Sequence, residues 1–503
     1  MLVSGILADR RVAIVRESPR YSNDPPFHPS ENVAEFPGQY IGKVDNPGFR
    51  AVRQALADLK LDGANWKTSR WNPFGQYVNP GETVFLKPNL VAHFNHGIYD
   101  GRDNDTDSLV TNGSVLRAVV DYVAKALDMR GTIIVGDCPI QGTYWDDVIH
   151  LTGLDAIKDY AHAAYPSIDF QLRDYRLGRA SVENGRVRAR IVDESERDKY
   201  VEVDLGKESL LVPIIGSNVE FGVPQYPRYR MRRAHTATTN LYLFHRDILD
   251  ADFVVNLPKM KTHMKAGITC ALKNFVGTIG HKDYLPHFRF GSPKNGGDEF
   301  PDGGVFWDLM WYFSHWDWEL ESGWRKRLYA MIAVFFAKLQ RLLGAPRGFS
   351  NTGGGGWYGN DTLWRTILDI HRAFVYFDRD SRKVSSSALT NKKYFVILDG
   401  LVGGQKEGPL APTPVESGVV LAGGNPLALD TVASTLMGFD WTKIPQLREG
   451  YGLTTMPLAT FSPREIEVHY EGAVRSLNEL RKAKGACAFH PPTGFRGRIE
   501  CSM

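Results

Sequence analysis

Cysteine is scarce and scattered in this chain: Cys138, Cys270, Cys487 and Cys501 are the only four in 503 residues. No two of them form a C-x-x-C pair, which leaves ferredoxin-type and ribbon-type metal sites without support. So few cysteines make no disulfide framework, and the expected setting is a reducing one, the cytoplasm. Net charge is nearly absent as well. Sixty Lys+Arg against 57 Asp+Glu give +3 at pH 7, no overall field to attract nucleic acid. Long apolar runs are missing; the longest relevant one, Leu328 to Ala337, is well short of the ~18 residues of a spanning helix. MLVSGILADRR at the start has neither a basic n-region nor a small-residue cleavage pattern, so no secretion signal is read. There is no G-x-G-x-x-G, Walker lysine, G-x-S-x-G, H-E-x-x-H or kinase signature. What remains, at 43% hydrophobic and 23% charged residues, is a globular protein too long for one ordinary core.

Apolar β-rich runs recur, most of them followed by a helical pattern. Arg11–Val15 reads as a first strand and Phe49–Leu61 as an amphipathic helix. Thr83–Leu86 is a strand, Val115–Leu127 a helix, and Thr132–Val135 and Phe253–Val255 continue the series, which Phe395–Leu398 and Val419–Leu421 resume. Strand and helix in alternation predict an α/β fold, a mostly parallel sheet with covering helices in two lobes plus insertions. The expected division is an N-terminal α/β lobe (1–172), a polar β-rich insertion (173–250) with strand-like pieces Tyr200–Val203 and Leu210–Ile215, and a Lys/His-rich site segment (251–290). A Gly/Pro-rich then Trp-rich helical insertion (291–360) and a C-terminal α/β lobe (361–503) complete it.

Parallel sheets bind ligands beyond the carboxyl ends of their strands. The residues found there are Lys87-Pro88-Asn89, Asp137, Asn256 with Pro258-Lys259, and Asp399-Gly400. Each Asp alone serves equally as a turn or cap residue; four polar strand ends together suggest a site. The richest stretch is NLPKMKTHMKAGITCALKNFVGTIGHKDYLPH. Lys259, Lys261, His263 and Lys265 alternate, and in extended chain they share one side. Gly267 and Thr269 open a short helix carrying Lys273 and Asn274, whose N-terminus beside lysines would suit a phosphate or carboxylate. His263 and His287 are the candidate general acid/base groups, with Lys259 and Lys261 as catalytic partners; His235 and His245 have weaker context. Lys87, Asn89, Thr269, Lys273, Asn274, Gly424 and Asn425 are the candidate substrate-binding residues, the last two because Gly423-Gly424-Asn425-Pro426 precedes a helix. Asp137, Asp399, Asp298 and Glu299 are the carboxylates that would suit a divalent metal, though Asp298-Glu299 reads equally as a Gly-Asp turn.

A separate feature lies in the second insertion. Trp307, Trp311, Trp316, Trp318 and Trp324 lead into Arg325-Lys326-Arg327, the apolar run, then Lys338 and Arg341. Aromatics and cations around an amphipathic helix fit a membrane interface; the commoner reading is a helical insertion packed on the body or on another subunit.

KPNLV at 87–91, Thr111 with the helix after it, Asp137, NLPKMKTH and TCALKNFVG resemble the family named domain of unknown function 362. So do LDG at 398–400, EGPL at 407–410 and the segment from Gly423 through LALDTVASTLMGFD. These pieces run in order from about residue 82 to 450. Members often carry a ferredoxin-like iron–sulfur domain, for which this chain lacks the cysteines, so no cluster is expected. It is similar to longer variants containing HKDYLPHFRFGSP, GGDEFP and NDTLWRTILD. The first block is also remotely similar to nickel-pincer lactate racemases, two-lobed α/β proteins that use Lys and His on small carboxylates. The resemblance thus implies a fold and a site more than a reaction.

The expected function is an enzyme acting on a small carboxylate- or phosphate-bearing metabolite in a biosynthetic pathway, an isomerase, transferase or ligase-like activity. In it Lys and Asn clamp the anion and His moves a proton. The alternative is a non-catalytic scaffold that docks an acidic partner or anionic membrane through the basic loop and the Trp-rich helices. Expected partners are the small anion, no nucleic acid, and either peripheral membrane contact or a homo-oligomer through 305–343.

Overall fold

The computed structural model describes residues 5–97, 105–183, 186–216, 220–224, 226, 228–302, 305–320, 323–342, 353–385, 392–482 and 487–501. One twelve-stranded sheet organises them. Its strands are β1 (Arg11–Arg16), β2 (Thr83–Pro88), β3 (Gly131–Asp137), β4 (Ile168–Asp174), β5 (Phe253–Leu257) and β6 (Lys259–His263). They continue with β7 (Gly267–Ile268), β8 (Lys393–Glu407), β9 (Ala411–Val415), β10 (Val419–Gly423), β11 (Glu467–Tyr470) and β12 (Ala473–Arg475). The order is β12-β11-β1-β10-β8-β5-β2-β3-β4, with β6 and β9 pairing along the second half of β8 and β7 on β6. From β8 through β5, β2 and β3 to β4 every pairing is parallel.

Successive side chains of a strand point to opposite faces, and here both faces are buried. Val84, Leu86, Ile133, Val135, Phe253, Val255, Phe395 and Ile397 join one core, closed by α1 (Pro47–Asp58) and α2 (Gly113–Ala126). Phe85, Ile134, Val254, Val396 and Leu398 join the other, closed by α3 (Cys270–Asn274), α6 (Leu363–Val375) and α7 (Pro426–Leu436). Between α3 and α6 in the chain, α4 (Val305–Glu319) and α5 (Trp324–Leu342) form a helical hairpin. The helices start where the sequence can satisfy their first N–H groups. Asn46 accepts from Phe49 N at 3.0 Å, and Asn112 from Ser114 N at 2.9 Å.

The α/β reading holds, with three differences in detail. Segments 1–172, 251–290 and 361–503 all give strands to this one sheet, so the two lobes read from the sequence share it. Strand β10 runs antiparallel to both β8 and β1, which reverses its ends relative to the parallel series. Leu210–Ile215 holds no strand; Val212–Ile214 is a single 3-10 turn, where Pro213 removes the N–H a ladder would need. The polar insertion is otherwise β-rich, with Gly178–Glu183 pairing Arg186–Val192 and Tyr200–Asp204 pairing Leu241–His245. No helix among the described residues is long and apolar enough to cross a membrane.

Candidate functional site

The carboxyl ends of β2, β3 and β5 and the middle of β8 converge, as the strand-end residues suggested, and their ionisable groups are spent on one another. Lys87 and Asp137 form a buried ion pair at 2.6 Å. Lys87 also donates to Pro88 O at 2.7 Å, while Asp137 accepts from the backbone of Leu90 and Cys138 at 2.6 and 2.7 Å. A second buried pair joins Lys259 and Asp399 at 3.0 Å. Tyr21 completes it: Lys259 donates to its hydroxyl at 2.6 Å, and that hydroxyl donates to Asp399 at 2.5 Å. Burial, then the Asp399 charge, pushes the Tyr21 phenol well above its ordinary range. Asn112 N closes the set on Asp399 at 2.9 Å.

Lys261 lies between these pairs without a carboxylate. Its ammonium donates to Asn89 Oδ1 at 3.1 Å, to Pro409 O at 3.3 Å and to Leu109 O. Burial, followed by the charge of Lys259, holds its pKa well below the usual lysine range. Asn89 then donates to Asn274 at 2.8 Å, and Asn274 to Asn256 at 2.8 Å and to Lys87 O at 3.1 Å. Asn256 in turn donates to Ala271 O at 2.9 Å and Tyr394 at 2.7 Å. The amides that the sequence suggested would grip a ligand are therefore linked into a satisfied polar floor, whose rigidity comes from having every partner in place.

Above this floor the chemistry changes. Lys265, Lys273, Lys282 and His287 are half-buried, beside buried His263. The ammonium groups of the three lysines make no hydrogen bond or ion pair with any described residue. Burial, then the neighbouring lysine charges, brings Lys273 down to about 7; burial brings Lys265 to about 7, against the pull of Glu299. Lys282 is lowered by burial, opposed by the charges of Cys138 and Asp137. Both imidazoles are held well below their ordinary pKa, first by burial and then by Lys265 and Lys273. Lys265 and Lys273 feel the charge of Lys282, and both imidazoles feel Lys265 and Lys273, so these groups form one basic cluster, referred to below as the pocket, rather than separate surface charges.

The two histidines have complementary tautomers. Lys265 N–H donates to His263 Nδ1 at 3.1 Å, so the proton of the neutral ring sits on Nε2. His287 Nδ1 faces Leu285 O at 2.7 Å, and a carbonyl only accepts, so His287 carries its proton on Nδ1 and keeps an unprotonated Nε2. Gly353–Gly356 roofs this side. Asn360 bridges His287 O and Gly355 O at 2.8 and 2.9 Å, and a Cβ on Gly354 would stand 3.7 Å from Lys265 Nζ.

The other expected residues lie elsewhere or serve the fold. Because β10 is antiparallel, Gly424 and Asn425 stand at the opposite edge of the sheet from the pocket. Asn425 caps α7 through Ala428 N at 2.9 Å, and a Cβ on Gly424 would lie 2.7 Å from Asp9 Oδ2. Thr269 is buried and turned to Thr262 O at 3.3 Å. The start of α3 is not open to an anion: Asp430 accepts from Ala271 N and Leu272 N at 2.7 and 2.8 Å. Asp298 is filled by Arg289, Asp361 N and Thr362 (2.7 Å for the last), and Glu299 by His315 at 2.9 Å and Gly291 N at 3.1 Å. The four carboxylates proposed for a metal thus do not assemble. No group of three or more His, Cys, Asp or Glu placed to hold a metal ion occurs among the described residues. His235 and His245 stay structural, bonded to Asn240 and capping Asp247 N. Sequence reasoning missed Tyr21, which no motif marks. It gives no role to Lys265 or Lys282, although both stand in the Lys/His-rich segment 251–290.

Comparison with known proteins places the matched region over this site. The family model described as Domain of unknown function (DUF362) matches residues 214–435, which include Lys265, Lys273, Lys282 and both histidines but not Lys87 or Asp137. Thylakoid-associated protein sll1697 of Synechocystis sp. is 24% identical over 208 residues, 41% of this chain and 42% of that protein. The matched stretch is thus under half the length of either.

Proposed function

We propose, from the premise that this chain carries the domain of the DUF362 family, that it is an enzyme acting on a small carboxylate- or phosphate-bearing metabolite by proton transfer. The observation that carries this reading is the neighbouring His263 and His287 in opposite tautomers, beside three lysines that make no hydrogen bond or ion pair with any described residue. An anion entering the pocket supplies the negative charge that Lys265, Lys273 and Lys282 lack, and its ammonium contacts strengthen in a partly dry site. His287 Nε2 then serves as the base, and the Nε2–H of His263 donates a hydrogen bond to the oxygen on which negative charge develops, each ring kept neutral near pH 7 by burial. A proton taken by His287 and returned from the resulting imidazolium to a neighbouring atom, while His263 N–H steadies the charge between, is the requirement of an isomerisation next to a carboxylate. Lys87, Lys259, Lys261, Asn89 and Asn274 hold the pocket's floor in register and are positioning residues in this reading.

The test is a thermal-shift and native mass-spectrometry screen of small carboxylates and phosphate esters. Lys273→Met and Lys265→Met are expected to abolish stabilisation by the ligand found while leaving the unliganded protein at least as stable. Deuterium incorporation from solvent into that ligand, lost in His287→Asn, is the expected sign of proton transfer. A ligand bound equally well by both lysine variants would overturn the assignment.

A further inference from the structure

Nine of the sixteen exposed large hydrophobic side chains among the described residues lie on the α4/α5 hairpin: Val305, Tyr312, Trp316, Trp324, Leu328, Met331, Val334, Phe335 and Leu342. On α5 they form one stripe. Trp324, Leu328, Met331, Phe335 and Leu342 recur at helical spacing and are 69%, 39%, 63%, 58% and 83% exposed. The stripe is not a helix left unpacked, because α5 has a separate packed side. Phe336 stacks on Phe313 with ring centroids 5.9 Å apart, and Tyr329 lies against Phe313 and Trp316 at 6.1 Å each. The hairpin is also rooted in the body, through His315 on Glu299 at 2.9 Å and Trp311 stacked on Phe300 at 5.6 Å. A water-soluble surface helix keeps one apolar side, facing inward; this one keeps two.

Charge indicates what covers the second side. α5 contains Arg325, Lys326, Arg327, Lys338 and Arg341 and no Asp or Glu. Arg325 and Arg327 are exposed beside Trp324 at one end of the stripe, and exposed Lys338 lies toward the other. α4 adds exposed Tyr312 and Trp316, their rings 6.4 Å apart. Apolar side chains along the middle, cations at both ends and amphipathic aromatics beside them match the cross-section of a bilayer interface: acyl chains below, anionic headgroups around. The helix, 19 residues and so about 28 Å long, would lie in the plane of the surface rather than cross it.

We propose that the α4/α5 hairpin docks this protein on an anionic membrane surface, with Met331, Phe335 and Trp324 entering the headgroup–acyl boundary and Arg325, Arg327 and Lys338 pairing with lipid phosphates. This stands apart from the pocket chemistry, and its test does not use that site. The full chain is sedimented with vesicles of phosphatidylcholine alone or mixed with phosphatidylglycerol, over a range of salt. Binding to the anionic vesicles that weakens with salt is expected. Met331→Asp with Phe335→Asp, and separately Arg325→Glu with Arg327→Glu, should each lower partitioning by roughly tenfold or more. All four positions are exposed, so an unchanged melting temperature confirms that the variants fold. Failure of the parent protein to sediment, or equal sedimentation of both variants, overturns the proposal. A concentration-dependent dimer abolished by Met331→Asp/Phe335→Asp, without vesicle binding, would instead assign the stripe to a second copy of the chain.

Discussion

Raising the pH should release an anion from the pocket well before ordinary lysines titrate. Lys265 and Lys273 stand at about 7 because burial and nearby positive charge oppose their protonation. An anion needs them charged. Above about pH 7, each lysine that must be reprotonated for binding costs about 1.4 kcal/mol per pH unit, a factor of about ten in affinity. Between about pH 7, where it is half-protonated, and pH 9 a single such lysine predicts a drop of roughly fiftyfold, and two acting together more. The assay is calorimetric titration with sulfate or a dicarboxylate, whose own charge is constant over this range, in buffers of different ionisation enthalpy. At about pH 8 the heats should reveal uptake of one to two protons per anion. Lys273→Met should weaken binding at about pH 6.5 and remove one unit of slope from log affinity against pH. A flat profile between about pH 6 and pH 9 would refute the reasoning, since that is how unperturbed surface lysines behave. The unliganded protein has the opposite trend in stability. Its folded lysines bind protons less readily than the unfolded chain between about 7 and their ordinary 10.5, so its melting temperature should rise with pH across that window.

Lys259→Met should destabilise the fold by about 3–5 kcal/mol in denaturant titration, because Asp399 is then left buried without its cation, whereas Lys265→Met should cost little or add stability. Equal effects of the two substitutions would dissolve the distinction between floor and pocket. Gly277→Ala should lose the fold's closure over β2 and β3: a Cβ there falls inside contact distance of Asp137 Oδ1 and 2.9 Å from Lys87 Nζ, and limited proteolysis should detect the loosening. Asp430→Asn should cost about 1–3 kcal/mol, as one of two backbone donors at the start of α3 then meets an NH₂ group; chemical denaturation reads the difference.

Much of the architecture is legible in the sequence. The apolar runs at Arg11, Thr83, Thr132, Phe253, Phe395 and Val419 are all strands, because strands buried on both faces have no other outlet for such side chains. The direction of the last is not legible. Val419-Val420-Leu421 reads the same whichever way it enters the sheet, and its reversal moves Gly424 and Asn425 to the far edge. The alternation of Lys259, Lys261, His263 and Lys265 marks the stretch in which the basic cluster gathers, yet gives no partners. Whether a lysine is spent or available depends on residues brought from afar: Asp399 and Tyr21 for Lys259, Asn89 for Lys261, and for Lys265 only the Phe288 ring among the described residues. Tyr21, in a Pro-rich loop without periodicity, carries no local signal of the pair it completes.

The position of β1 also bears on how the molecule is made. Ile14 pairs with Leu421 on one side and with Tyr470 on the other, so both edges of this strand await partners that follow it by roughly four hundred residues or more. At the usual pace of a ribosome, the interval is on the order of half a minute to a minute and a half. Throughout it Val12-Ala13-Ile14-Val15 is an apolar strand with two open edges, the kind of segment that pairs with whatever chain is nearest. A nascent chain of this protein therefore needs shelter for β1, and its sheet closes by setting a strand already made between two made much later.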